Sequence, residues 1–173
     1  MEKFTIPGAG AIIEKIINGE IHILLQTRIK KKRKSENGLL EIPAGKIREF
    51  ENIYDCLRRE IKEETNLELT YIKGESKAKI IKQNNYKVLN YTPFSCAQNI
   101  GKDYPILVNI FLCRAKGKLK RNKKESNNLK WVNTSNLFNL LKKEKEQFYS
   151  MHITTLKKYL NYRKYNPTFG GIR

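Results

Sequence analysis

Gly45-Lys-Ile-Arg-Glu-Phe-Glu51-Asn-Ile-Tyr-Asp-Cys-Leu-Arg-Arg59-Glu60-Ile61-Lys-Glu63-Glu64-Thr-Asn66-Leu67 is the stretch around which the rest of this chain is organised. The chain carries 35 Lys and Arg against 17 Asp and Glu, a net charge of +18, yet three of its carboxylates fall within positions 60 to 64. Ile53, Leu57 and Ile61 recur every fourth residue with no Gly or Pro between them, which predicts a helix from Phe50 to Thr65. Asn66 follows as a left-handed stop. At about 100° per residue, Glu60 and Glu64 lie about 40° apart and Glu63 about 60° to the other side of Glu60, so the three share one narrow arc. Such charges repel unless something positive sits between them. Arg59 and Lys62 project roughly 100° or more from the nearest parts of that arc, which leaves a hard divalent cation as the better partner; Mg²⁺ prefers carboxylate oxygens. A solvated acidic face is the alternative that the helix alone leaves open.

The segment resembles the Nudix box, whose pattern is Gly, five residues, Glu, seven residues, Arg-Glu, an aliphatic, any residue, Glu-Glu, any residue, Gly, an aliphatic. Gly45, Glu51, Arg59, Glu60, Ile61, Glu63, Glu64 and Leu67 all fall on it in register. Asn66 stands in place of the second Gly, a mild change because Asn tolerates positive φ. The resemblance implies a MutT-like Nudix hydrolase with an α/β/α sandwich and a mixed central sheet. It implies that Glu63 and Glu64 are metal ligands and that Glu60 is either a ligand or the base that deprotonates water. Arg59 is implied to orient these carboxylates rather than to be a surface cation, and Glu51 to join them through a water or an outer shell of hydrogen bonds. Gly45 offers its carbonyl to the metal or is a turn glycine. In relatives a further acidic ligand often precedes a Trp-containing strand. Glu125, six residues before Trp131, matches that arrangement, with a chance acid in a basic loop as the equal alternative. Trp131 itself is read as core. The implied cofactor is Mg²⁺, with Mn²⁺ as its substitute.

The 173 residues suit one domain with a real core. Apolar residues make up 39% and charged residues 30%, which fits a folded protein rather than a disordered one. The N-terminus lacks a signal-peptide core, and Ile106 to Cys113, the longest apolar run, is too short to span a bilayer. These features predict a cytoplasmic protein with no membrane partner. Cys56, Cys96 and Cys113 show no metal-ligand spacing and are expected to be buried free thiols. His22 and His152 are assigned no catalytic role. The charge of +18 predicts attraction to polyanions, RNA among them, although abundant Lys, Asn and Ile also suit an AT-rich coding sequence.

Two β-branched runs, Ala9 to Ile17 and Ile21 to Arg28, meet at Asn18-Gly19, a two-residue hairpin signal. The Lys30 to Lys34 block is expected to be a solvent-exposed loop, with contact to phosphates as the weaker reading. Leu39 to Ile42 predicts a brief strand stopped by Pro43, delivering the chain to Gly45. Further strands are expected over Leu67 to Gly74, Ala78 to Lys82, Tyr86 to Ala97, Ile106 to Ala115 and Leu129 to Val132. Two helices are expected to follow, one capped by Ser135 and running to about Glu144, one capped by Ser150 and running to about Tyr162. The domain is therefore expected to span 1–162, with 163–173 as a tail.

Function is expected to be hydrolysis of a nucleoside diphosphate linked to another group, giving a nucleoside monophosphate and the phosphorylated group. Glu41-Ile-Pro-Ala-Gly45 resembles the lead-in of Nudix enzymes acting on ADP-ribose and nucleotide sugars. Phe4, Tyr91, Phe94 and Tyr104 are candidates to stack on a base, with core packing as the more ordinary role. Two alternatives remain open: removal of pyrophosphate or a cap from RNA 5′ ends, and a non-catalytic nucleotide sensor. The partner is a nucleotide-derived small molecule, with RNA and a homodimer as further arrangements.

Overall fold

The computed structural model describes residues 2–29, 34–102, 104–120 and 126–167. The chain opens with β1 (Ile6–Ile17) and β2 (Glu20–Arg28), antiparallel about Asn18 and Gly19, whose φ values of 51° and 80° are those a two-residue hairpin needs. Short strands β3 (Leu40–Glu41) and β4 (Ala44–Lys46) pair with β2 and β1 respectively. Helix α1 (Ile53–Thr65) follows, then β5 (Glu68–Ile72), β6 (Lys79–Gln83), β7 (Tyr86–Asn90), β8 (Ser95–Gln98), β9 (Ile106–Lys116) and β10 (Ser126–Asn133). Helices α2 (Thr134–Lys143) and α3 (Ser150–Tyr165) complete the fold.

The main sheet runs β10-β2-β1-β9-β5, with β3, β4 and β8 attached beside this path. It is mixed: β1 and β9 are parallel, and the other pairs are antiparallel. Alternation along the central strands sends Ile12, Ile23, Leu25, Ile110 and Leu112 to one face, where they meet Leu137 and Leu141 of α2 and Leu156 and Tyr159 of α3. Ala11, Ile13, Leu24, Phe111 and Cys113 line the other face against Ile53, Leu57 and Ile61 of α1. The result is the expected α/β/α sandwich. Among the described residues no helix is long and apolar enough to cross a membrane.

Several boundaries differ from the sequence expectation. Helix α1 starts at Ile53 because Phe50 takes a positive φ of 56° and is 99% exposed, a turn conformation that no helix can include. Asn52 then caps α1, its side chain accepting the Tyr54 N–H at 2.9 Å. The strand expected over Tyr86 to Ala97 divides into β7 and β8 around Pro93, which cannot donate to a ladder. Helix α2 is capped by Asn133 rather than Ser135, with Asn133 Oδ1 accepting the Asn136 N–H at 2.7 Å. Helix α3 runs to Tyr165, so Arg163 belongs to the fold, not to a tail. Its guanidinium meets Glu14 of β1 at 2.6 and 2.5 Å, and the Tyr159 hydroxyl donates to Glu14 at 2.8 Å. Cys56 and Cys113 are buried thiols, but Cys96 lies exposed on the outer face of β8.

Candidate active site

Helix α1 buries one face and offers the other to β4. Asn66 ends it with a φ of 64°, the left-handed stop expected of it, and its N–H bonds to the Lys62 carbonyl. One turn of the face toward β4 places Glu60 and Glu64 over consecutive residues of that strand. The Glu60 carboxylate occupies the space a side chain at Gly45 would fill: an added Cβ would stand 1.8 Å from Glu60 Cδ. Glu64 is 8% exposed, and its Oε2 accepts the Ala44 N–H at 3.2 Å and Gln26 Nε2 at 3.1 Å. Gly45 is thus needed for a close approach, and no left-handed backbone is involved.

Arg59 ties the acidic arc together, in the orienting place the resemblance implies, although helical angles alone point it away from that arc. Its long side chain folds back, and Nη1 donates to Glu60 Oε1 at 2.5 Å and stands 3.5 Å from Glu63 Oε2. The same guanidinium grips Glu51 through Nε at 2.7 Å and Nη2 at 2.8 Å and reaches the Lys46 carbonyl at 3.1 Å. Glu51 in turn accepts the Arg48 N–H at 2.9 Å, closing the loop between β4 and α1. Hydrogen bonds from Arg59 hold the Glu51 carboxyl down at about 2, and the reciprocal bonds from Glu51 raise Arg59. Burial pushes the neighbouring Cys56 thiol up to about 12, so it is no nucleophile. Glu63 is the most exposed of the three acids, and Arg48 Nη2 stands 3.8 Å from it.

A second polar cluster lies behind Glu64, and the box contains none of its members. Gln26 of β2 donates through Nε2 to Glu64 and, at 3.3 Å, to Glu41 Oε1. Arg28 donates to Glu41 Oε2 at 2.6 Å and to Glu36 Oε2 at 3.0 and 2.8 Å, and its guanidinium stacks 3.9 Å from the Tyr149 ring centre. Beneath them His152 Nδ1 accepts the Ile42 N–H at 3.2 Å. Burial, and next the Arg28 charge, push His152 down to about 3, so it is neutral at pH 7. The available signal in the sequence was polar residues inside apolar runs: Gln26 and Arg28 close an apolar strand, and Glu41 interrupts Leu-Leu-Glu-Ile.

The oxygen-rich donor set suits a hard divalent cation. Gln26 Oε1 supports that fit, because it is buried beside Glu64 with no hydrogen-bond partner among the described residues. Among the described residues, no three Asp, Glu, His or Cys side chains already converge as a ligand set. The reason is visible in the contacts: Arg59 draws Glu60 and Glu63 to one side, while Gln26 and Ala44 hold Glu64 on the other. Glu125 and residues 30–33 of the basic block lie outside the described residues. Trp131 is half-buried against the α1-side core with Lys15 over its ring, as expected of a core residue. Tyr91 and Phe94 pack on the two cores, whereas Phe4 is 73% exposed.

A family model described as the NUDIX domain matches residues 7–152. No curated protein sequence matches. Among solved structures, the E. coli ORF135 protein is 21% identical over 95% of each chain with a TM-score of 0.64. The NUDIX domain of Shewanella oneidensis NrtR, complexed with ADP ribose, is 14% identical over 96% of this chain and 91% of its own, also with a TM-score of 0.64. A C. elegans Ap4A hydrolase in a binary complex is 18% identical over 92% of this chain and 98% of its own, with a TM-score of 0.60. At these identities the structural likeness is one of fold.

Proposed function

Because the chain belongs to the Nudix hydrolase family, pyrophosphohydrolases that act on nucleoside diphosphate derivatives, we propose that it uses a divalent metal to split a nucleoside diphosphate linked to another group. Glu63 and Glu64 serve as metal ligands, joined by Glu60, the Gly45 carbonyl and Glu125, with Mg²⁺ as the ion and Mn²⁺ as its substitute. When bound, such a cation screens the phosphate charge and lets water ionise near neutral pH. Water then adds to one phosphorus while the bond from that phosphorus to the bridging oxygen breaks. The bridging electron pair leaves with the other phosphate, and Glu60 takes the proton from water. Arg59, clamped by Glu51, fixes where Glu60 stands.

The observation that carries this reading is the seating of Glu60 and Glu64 against adjacent residues of β4. Both carboxylates thereby meet the same short strand, Glu64 at the Ala44 N–H and Glu60 at Gly45. The unpaired thiols suit a reducing compartment, and on this reading the enzyme works in the cytoplasm. The reading is tested by incubating the protein with Mg²⁺ or Mn²⁺ and a panel of ADP-ribose, nucleotide sugars, dinucleotides and 5′-triphosphate RNA, with products read by mass spectrometry. Glu63→Gln and Glu64→Gln should each lower turnover by orders of magnitude and weaken metal binding with the fold intact. Retained turnover in both variants refutes the ligand assignment. The net charge of +18 favours RNA 5′ ends as a second substrate class, which turnover of ADP-ribose without turnover of RNA would exclude.

A further inference from the structure

A wide concavity lies away from the carboxylates, in the α2–α3 layer. It is a groove of about 1150 Å³ that extends from the β1–β2 hairpin to the end of α3. Its volume exceeds the roughly 300–1,000 Å³ of small-molecule sites. Two helical stripes face each other across it. On α2 the stripe is Ser135, Phe138, Asn139 and Lys142, and on α3 it is Lys157, Asn161 and Lys164. Both follow the three- and four-residue spacing that sets side chains on one helix face. Lys143 and Lys145 extend the basic rim. Against these five lysines stand Glu20 and Glu146, while Arg163, also at the groove, is already neutralised by Glu14. Ile21, Leu141 and Leu160 form an apolar floor, and Phe138 is 55% exposed above it.

We propose that this groove binds single-stranded RNA. A phosphate backbone matches the excess of lysines, and the exposed Phe138 ring offers a face on which a base can stack, the combination by which single strands are held without sequence preference. Ser135, Asn139 and Asn161 place hydrogen-bonding groups along the track where a 2′-hydroxyl can meet them. A concave channel of this shape does not lie flat on a lipid surface. Gln26, beside the carboxylates, and Ile21, in the groove, are five residues apart on β2, so the two sites are roughly 17 Å apart along that strand. The groove is therefore a separate site, and its occupancy does not depend on which phosphoanhydride is cleaved.

The test uses the full chain and a fluorescein-labelled oligouridine of roughly 12 nucleotides with a 5′-hydroxyl, in EDTA, so that neither metal nor pyrophosphate engages the carboxylates. Anisotropy is followed from about 50 to 200 mM NaCl. With four to five phosphates engaged, the slope of log affinity against log salt should be about −3, a loss of roughly 60-fold over that range. Lys157→Gln with Lys164→Gln should weaken binding at the lowest salt and flatten the slope by about 1.4. Lys79→Gln with Lys82→Gln, on exposed β6 far along the chain from the groove, changes the net charge equally and should leave binding unchanged. Phe138→Ala should weaken binding with no change in slope. Equal loss in the two lysine pairs, no binding at about 50 mM salt, or equal or tighter capture of a DNA oligomer of the same length, of polyglutamate or of anionic vesicles under the same conditions would overturn the proposal.

Discussion

Replacing Gly45 by Ala puts a methyl group where the Glu60 carboxylate now lies. The added Cβ would stand 1.8 Å from Cδ, 2.1 Å from Oε2 and 2.3 Å from Oε1, whereas ordinary contact begins at 3.4 Å. Glu60 must therefore retreat by at least about 1.6 Å, and the hydrogen bond from Arg59 stretches or breaks. A charge-assisted hydrogen bond contributes about 1.5–3 kcal/mol, partly offset by the about 0.4–1 kcal/mol that Ala gains by restricting the unfolded chain. The net cost of about 1–2 kcal/mol lowers Tm by only about 2–8 °C in a chain of this size. Chemistry is more sensitive, since displacement by about 1 Å costs on the order of 100-fold. The assay is kcat/KM on the best substrate of the metal-supplemented panel, measured in Gly45→Ala, Glu60→Ala and the double variant. If Gly45 acts by seating Glu60, adding Gly45→Ala to Glu60→Ala costs nothing further. A single variant within about threefold of the parent, or additive losses in the double variant, would refute the reasoning.

Three further outcomes follow from the same contacts. Gln26→Leu removes the donor that Glu64 and Glu41 share and should weaken Mn²⁺ binding by about 10–100-fold, as losses behind a ligand do; unchanged affinity in calorimetry would count against Gln26 as a support. Melts from pH 7 to 3 should show stability falling in two windows. His152 is held at about 3, below its ordinary 6.5, so its contribution is complete above 6.5 and is lost as pH falls toward 3. Glu51, held at about 2, contributes fully above 4.5 and loses that contribution as pH falls through 4.5 toward 2, so Glu51→Gln should flatten only the more acidic part of the curve. Arg163→Ala leaves Glu14 buried without its cation, the two side chains being 9% and 4% exposed, and should cost about 3–5 kcal/mol. Truncation after Tyr162 should do the same in a thermal melt, and truncation after Pro167 should not.

The order of strands and helices was legible because each central strand alternates and α1 repeats its apolar residues every fourth position, so local pattern and tertiary burial agree. The box residues were legible because they lie in one continuous segment. What escaped was whatever depends on contacts distant in sequence or on the reach of a side chain. Helical angles alone point Arg59 away from the carboxylates, because they ignore the length of a guanidinium able to fold back over its own helix; its orienting place was legible only through the resemblance to the box. Gln26 reaches Glu64 across 38 residues, a pairing that no local window contains. Arg163 looked like the start of a tail because Pro167 and Gly170-Gly171 follow it, yet its partner Glu14 is 149 residues away. Phe50 fits a helical pattern by composition and is excluded only by the turn that carries Glu51 to Arg59.

Arg59 also explains how three carboxylates are accommodated on one helical arc. Its Nη1 stands between Glu60 and Glu63, and the rest of the guanidinium is anchored to Glu51 and the Lys46 carbonyl. The repulsion among the carboxylates is thereby compensated within the chain, by a guanidinium that bonds to Glu60 and stands beside Glu63. The same anchoring sets a threshold for the incoming ion. Any cation that recruits Glu60 must compete with a charged donor at 2.5 Å that three other hydrogen bonds keep in place. A monovalent ion has half the charge with which to compete at the same distance. On the proposed reading, the arginine that neutralises the arc is therefore also what reserves it for a compact divalent cation.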